Sequence, residues 1–210
     1  CAQQEGVRRM KADGIENVHW LPLACHTEAH PDFAAMMKHE ERDRWEKEGG
    51  LTKKHDVVFV GYINEGAGPN SHNRLEHLDL LFKTFPNFWC STNCFGEAAA
   101  SRILRGRLAV NCSIRNDLNM RFFEIPSIGS AMLANTDVEG WQDLGFVEGD
   151  HFIGYNGMEE MIDKAKWGLA HPMEREKIAA AGHAFVREHH QYLHRAEQLL
   201  ATCGLPARPD

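Results

Sequence analysis

Between Ser113 and Thr136 the chain reads SIRNDLNMRFFEIPSIGSAMLANT, with two arginines, an aspartate and a glutamate set against two phenylalanines. Arg115 and Arg121 are of the type that grips phosphate with a planar fork of donors. Glu124 cannot hold a phosphate, but its carboxylate can accept hydrogen bonds from sugar hydroxyls. The pattern predicts a helix beginning near Leu118 and ended by Gly129. Its first amides, from Leu118 through Asn119 and Met120 to Arg121, would lack intrahelical acceptors, and the helix dipole there favours an anion. An anion site with a hydroxyl acceptor one turn further in suits a nucleoside diphosphate. The competing reading is local: Arg121 and Glu124, at i and i+3, simply pair with each other on the helix.

These groups need a frame. DVVFVGYI, from Asp56, is a continuous apolar, β-branched run of the kind found in strands buried on both faces. Loop chemistry follows, and then a helix with Leu75, Leu78, Leu81, Phe82 and Phe85 near helical spacing, stopped by Pro86. NFWCS reads as a short strand, GEAAASRILRGR as a helix, LAVNCSI as a buried strand, SAMLAN and GDHFIGY as two more strands. Three helices close the chain, one of them opened by Pro172 and the last ended at Gly204. IENVHWLPLA, residues 15–24, reads as a further short strand, and 34–55 as a charged connector, partly helical. Strands alternating with helices predict an α/β, Rossmann-like domain with a mainly parallel sheet, whose ligands bind outside the carboxyl ends of the strands. The loops after Ile63 and after Ile114 are then the candidates.

Composition bounds the rest. The 210 residues are 43% hydrophobic, enough for a core, and carry a net charge of −7, which argues against a phosphate-tracking nucleic-acid surface. No apolar run is long enough to span a bilayer. Six irregularly spaced cysteines without a CxxC suggest reduced thiols and a cytoplasmic setting, with those in FWCSTNCF and AVNCSI acting as small buried hydrophobes. The chain starts at Cys1 with no secretory pattern, as a piece of a longer protein would. GAGPNS, 66–71, starts like a dinucleotide fingerprint, but Pro69 and Ser71 spoil it and it reads as a loop. The histidines, among them His26, His30, His189, His190 and His194, lack zinc spacing, so no metal or other cofactor is expected. The five tryptophans are scattered, as packing residues are.

The stretch that carries the chemistry resembles the signature of the CgeB-like glycosyltransferases, a group named after a spore maturation protein and related to glycosyltransferase family 4. Asn116 to Glu124 matches their Asn-x-x-Met-Arg-x-Phe-Glu-like core. NVHWLPLACHTEAH, DVVFVGYI and the closing LAHPMEREKIAAAGHAFVREHHQYLHRAEQLL, with Arg195, resemble other family segments in the same order. The resemblance implies a GT-B architecture: residues 1–33 would end the first domain and cross to the second, and 56–210 would form the C-terminal domain that binds a nucleotide-sugar. It implies that Glu124 contacts the donor ribose and that amides of Leu118, Asn119 and Met120 cradle the diphosphate. Gly61 would let backbone approach the phosphate, and Arg74 would supply a basic group on the following helix. With no phosphate-binding Arg and Lys pair in GYINEGAGPNSHNR, the phosphate charge would fall to Arg115 and Arg121. The family's first glutamate falls at Asn116, a departure from the pattern. The implied reaction is transfer of a hexose, with retention of configuration, to an acceptor bound mostly on the first domain. The alternative is a noncatalytic Rossmann-like module that binds a nucleotide or a partner.

Overall fold

The computed structural model describes residues 1–26, 53–63, 71–113 and 118–206, with only the backbone course of 71–73. The expected connector at 34–55 lies largely outside the described residues, as do Arg115 and Asn116.

Five strands form one sheet: β1 His55–Val60, β2 Trp89–Ser91, β3 Gly106–Asn111, β4 Met132–Asn135 and β5 Ile153–Tyr155. Their order is β2-β1-β3-β4-β5, and every pairing is parallel. The strands pair in a single register. Val57 and Val58 stand opposite Leu108 and Ala109, and Ala109 and Val110 stand opposite Met132 and Leu133. A one-residue slip would exchange the two faces of each strand.

Both faces are covered, which is why the strands read as unbroken apolar runs. On one face Val58, Val60, Ala109, Met132 and Ala134 pack on helix α3, Gly96–Leu104, and helix α4, Met120–Ser127. On the other, Val57, Phe59, Leu108, Val110 and Leu133 pack on α2, Ser71–Thr84, and α5, Met158–Ala170. The long α6, Pro172–His189, serves both: Ile178 and Ala179 join the second cluster and Val186 the first. Leu78 and Leu81 of α2, and Phe85 just past its end, face the core, whereas Leu75 and Phe82 of the expected apolar face are exposed.

Residues 15–24 form no strand. A helix the sequence did not announce, α1, Gln4–Ala12, buries none of its residues and rests on the turn after β4 through Arg8–Glu139 (2.6 Å) and Gln4–Asp143 (2.7 Å). The following segment runs irregularly to Cys25, where it meets the closing helices. The Cys25 amide donates to the His190 carbonyl (2.9 Å), and the Tyr192 amide donates to the Cys25 carbonyl (3.1 Å). Tyr192 opens the last helix, α7, Tyr192–Thr202. Arg195 of α7 is buried and reaches the Leu23 carbonyl (3.3 Å) and His190 Nδ1 (2.8 Å). A short apolar run with Pro22 in it cannot join a sheet interior, because proline lacks the ladder donor.

All six cysteines are free. Cys25, Cys94 and Cys112 are buried as the apolar surroundings suggested, but Cys90 of FWCSTNCF is exposed, since β2 is an edge strand. Burial pushes the Cys25 and Cys112 thiols up to about 11, so neither is a ready nucleophile.

Candidate functional site

In a parallel sheet of order 2-1-3-4-5 the chain leaves β1 toward one side and β3 toward the other. A crevice opens between their carboxyl ends, the place where such folds bind ligands. Both loops singled out in the sequence leave the sheet there. The stretch that carries the arginines folds in three steps: β3 ends at Asn111, Cys112 and Ser113 turn out of the sheet, and α4 starts at Met120.

The helix starts two residues later than expected, because Asn119 caps it. Its Oδ1 accepts from the Phe122 amide (3.3 Å), while its Nδ2 donates to Ser113 Oγ (3.0 Å). One side chain thus ties the end of β3 to the first turn of α4. With the Phe122 amide capped, the amides at the start of the helix, Met120 and Arg121, are the ones whose geometry leaves them for a ligand. Gly129, at φ +79°, ends the helix as expected. Phe122, Phe123, Ile125 and Ile128 are all buried in the core on that face. Phe122 meets Phe123, Phe146 and Phe152 edge to face. The aromatics of the stretch therefore anchor the helix.

Arg121 and Glu124 do pair. Arg121 Nη1 donates to Glu124 Oε2, and the side chains are 19% and 6% exposed. The pair is not a surface decoration: Glu124 lies inside the fold. Arg121 also spends Nε on the Val60 carbonyl at the end of β1 (2.9 Å) and reaches the Cys94 carbonyl after β2 with Nη2 (3.4 Å). Arg74, in the first turn of α2, does the same on the opposite face. Its Nη1 donates to the Tyr62 carbonyl (2.7 Å), and its Nε (3.1 Å) and Nη2 both donate to the Cys112 carbonyl. Its guanidinium lies over the Phe59 ring, 5.7 Å from the centroid. Gly61 has a packing reason: a Cβ there would come within 2.8 Å of Cζ in that same ring.

The structure therefore sets Gly61, Arg74, Asn119, Met120 and Arg121 near the carboxyl ends of β1 and β3, with Leu118 buried in the core and Glu124 buried against Arg121; of these seven, Arg74 alone lines the cavity described below. It also adds residues that the sequence reading missed. Asn135, at the end of β4, accepts from the Ser113 amide (2.8 Å) and donates to Asp137 (2.6 Å). Tyr155, at the end of β5, has its hydroxyl 3.0 Å from Cys112 Sγ. Burial pushes that hydroxyl well above its ordinary pKa, so it stays a neutral donor. A cavity of about 270 Å³ lies among Arg74, His77, Ser113, Asn135, Asp137 and Gly157. A polar residue closing an apolar strand, as in AVN and MLAN, was the signal for Asn111 and Asn135. A larger cavity, about 600 Å³, lies away from the crevice, between the β5 edge and α5, near Glu148, Gly154, Lys164 and Trp167. Among the described residues no three His, Cys, Asp or Glu side chains assemble as a metal site, and no helix is long and apolar enough to cross a membrane.

A doubly wound parallel sheet with a helix N-terminus and two arginines at its switch point is a Rossmann-like α/β fold. More narrowly, the chain belongs to the family described as glycosyl transferase-like, whose model matches residues 73–201. No curated protein matches the sequence. Among solved structures the chain is similar to Anabaena Alr3699/HepE in complex with UDP and glucose, at 11% identity and a TM-score of 0.72, covering 97% of this chain and 62% of that one. It is also similar to sucrose-phosphate synthase from Thermosynechococcus elongatus, at 10% identity and a TM-score of 0.67, with 97% and 57% covered. A third likeness is to the C-terminal domain of a group 1 glycosyl transferase, LpcC, from Francisella tularensis, at 12% identity and a TM-score of 0.53, with 79% and 97% covered. The fold is that of a GT-B glycosyltransferase domain, and the chain spans about three fifths of the length of the first two neighbours.

Proposed function

We propose that this chain is the donor-binding half of a glycosyltransferase that moves a hexose from a nucleoside diphosphate to an acceptor, with retention of configuration. The observation that carries the reading is the convergence, in a glycosyl transferase-like chain, of the α4 N-terminus and two arginines on the switch-point crevice. Diphosphate leaving-group charge grows in the transition state of such a transfer. Helix amides and positive charge held beside the crevice would stabilise that charge without reorganising. In this reading the amides of Leu118, Asn119 and Met120 take the diphosphate, Arg115 and Arg121 supply positive charge, Gly61 leaves room for the phosphate, and Glu124 takes the ribose hydroxyls. No metal is needed. Residues 1–33 end the acceptor-side domain and cross to this one, and the subgroup is the CgeB-like one, working in the cytoplasm.

Support for the donor class comes from the neighbour solved with UDP and glucose. The test is calorimetric titration of the chain with UDP, GDP and ADP. One of them should bind, and at 100 times its Kd it should add roughly 2.7 kcal/mol of stability. If none binds, the donor reading is wrong. Asn116, where the resemblance expects glutamate, favours the second reading, a noncatalytic nucleotide-binding module. That reading gains if a nucleotide binds but the longer protein transfers no sugar.

A further inference from the structure

The strands of a parallel sheet run their last carbonyls into the switch-point crevice. Carbonyl oxygens carry the negative ends of their dipoles, so bare ones would repel the diphosphate that the proposed function requires. Four oxygens at or just past the strand ends, on Val60, Tyr62, Cys94 and Cys112, accept hydrogen bonds from the two arginines. Arg74 is the clearest case. Three of its five N–H groups go to two carbonyls on different loops, one after β1 and one after β3, and its flat face lies on Phe59.

We infer that Arg74 is a positioning residue for the donor: it ties the loop after β1 to the loop after β3 and masks their carbonyls. It thereby makes the crevice receptive to an anion. The inference rests on the donor-binding reading. It differs from the sequence expectation, in which Arg74 is a basic group for the phosphate. The two roles make different demands on side-chain shape. A phosphate ligand needs a positive charge, which lysine keeps. A strut across two carbonyls needs a planar fork, which lysine lacks.

The experiment compares the chain with Arg74→Lys and Arg74→Gln, each first shown to be folded by circular dichroism and thermal melting. Binding of UDP, GDP, ADP and their uncharged nucleosides is measured by calorimetry, and amide exchange of residues 61–63 and 112–113 is followed without ligand. We expect Arg74→Lys to bind the diphosphate at least tenfold more weakly, with a smaller loss for the nucleoside. Amide exchange in both segments should be faster in both variants. Diphosphate binding within threefold of the unaltered chain in Arg74→Lys overturns the inference, because charge alone then suffices. Unchanged exchange in both segments also overturns it, since the strut would not be holding them. These readouts separate its failure from that of the donor reading, which falls only if the unaltered chain binds no diphosphate.

Discussion

Arg121 at the switch-point crevice and Arg195 at the junction of the entering segment with α7 both lay a guanidinium against a backbone carbonyl. Their surroundings differ. Arg121 has a carboxylate beside it, Glu124, and sits where the loops after β1 and β2 converge. Among the described residues Arg195 has no carboxylate partner. Its neighbour is the neutral imidazole of His190, which stacks on Phe146 with ring centroids 4.9 Å apart. Burial draws the Arg195 pKa down, as it does for any cation that leaves water. The charge of the first arginine is thus neutralised by a carboxylate at the crevice where the proposed function seats the donor. The second joins two segments inside an aromatic cluster.

The largest effect that would break this contrast is at Glu124. Glu124→Ala leaves Arg121 largely buried with one partner gone. Losing one member of a buried ion pair costs about 3 kcal/mol. The urea midpoint should fall accordingly, and diphosphate affinity should fall more than tenfold. A variant that loses stability but binds as before would make Glu124 a packing residue and leave the crevice no different from the junction.

The junction has its own signature in acid. Burial first, and then the charge of Arg195, hold His190 well below its ordinary range, down to about 3. The folded chain keeps this imidazole neutral while the unfolded chain protonates it below about pH 6.5. The stability His190 contributes is therefore complete above about pH 6.5 and is lost as pH falls from there toward 3. Between pH 7 and 4.5 the loss from this group should be about 2–3 kcal/mol. Urea titrations at the two pH values should show a shallower loss in His190→Gln, whose amide can still accept from Arg195. Diphosphate affinity at pH 7 should stay within twofold, the opposite of Glu124→Ala.

The sequence reading fared differently at these two regions for a physical reason. The sheet was legible because strands buried on both faces must be continuous apolar runs, and DVVFVGYI and LAVNCSI are such runs. The place of the crevice was legible, since fold topology puts the loops after β1 and β3 together whatever their conformation. What those arginines touch was not legible. The carbonyls of Val60, Tyr62 and Cys112 are backbone atoms, and nothing in residue type says that a guanidinium will reach them. The junction was misread as a strand at 15–24, because an apolar run is compatible with docking on a helix pair as well as with pairing in a sheet. Its pairing with His190 and Tyr192 spans most of the chain, and local pattern does not carry such distances. Helix α1 was missed because it has no buried face to impose a period.

The smallest effect tests whether the crevice is held from the α4 side as well. Asn119 caps the helix and also holds Ser113, so its loss should be felt at both ends of the intervening loop. Removing an N-cap costs about 1 kcal/mol. Asn119→Ala should lower the urea midpoint by that amount, and Asn119→Ser, which restores a cap acceptor but cannot also reach Ser113, should recover most of it. The two functions then separate in binding. If diphosphate affinity recovers along with stability in Asn119→Ser, the helix start alone matters to the anion. If stability recovers and affinity does not, the bond to Ser113 holds the loop where the ligand needs it, and the crevice depends on side-chain ties on both of its walls.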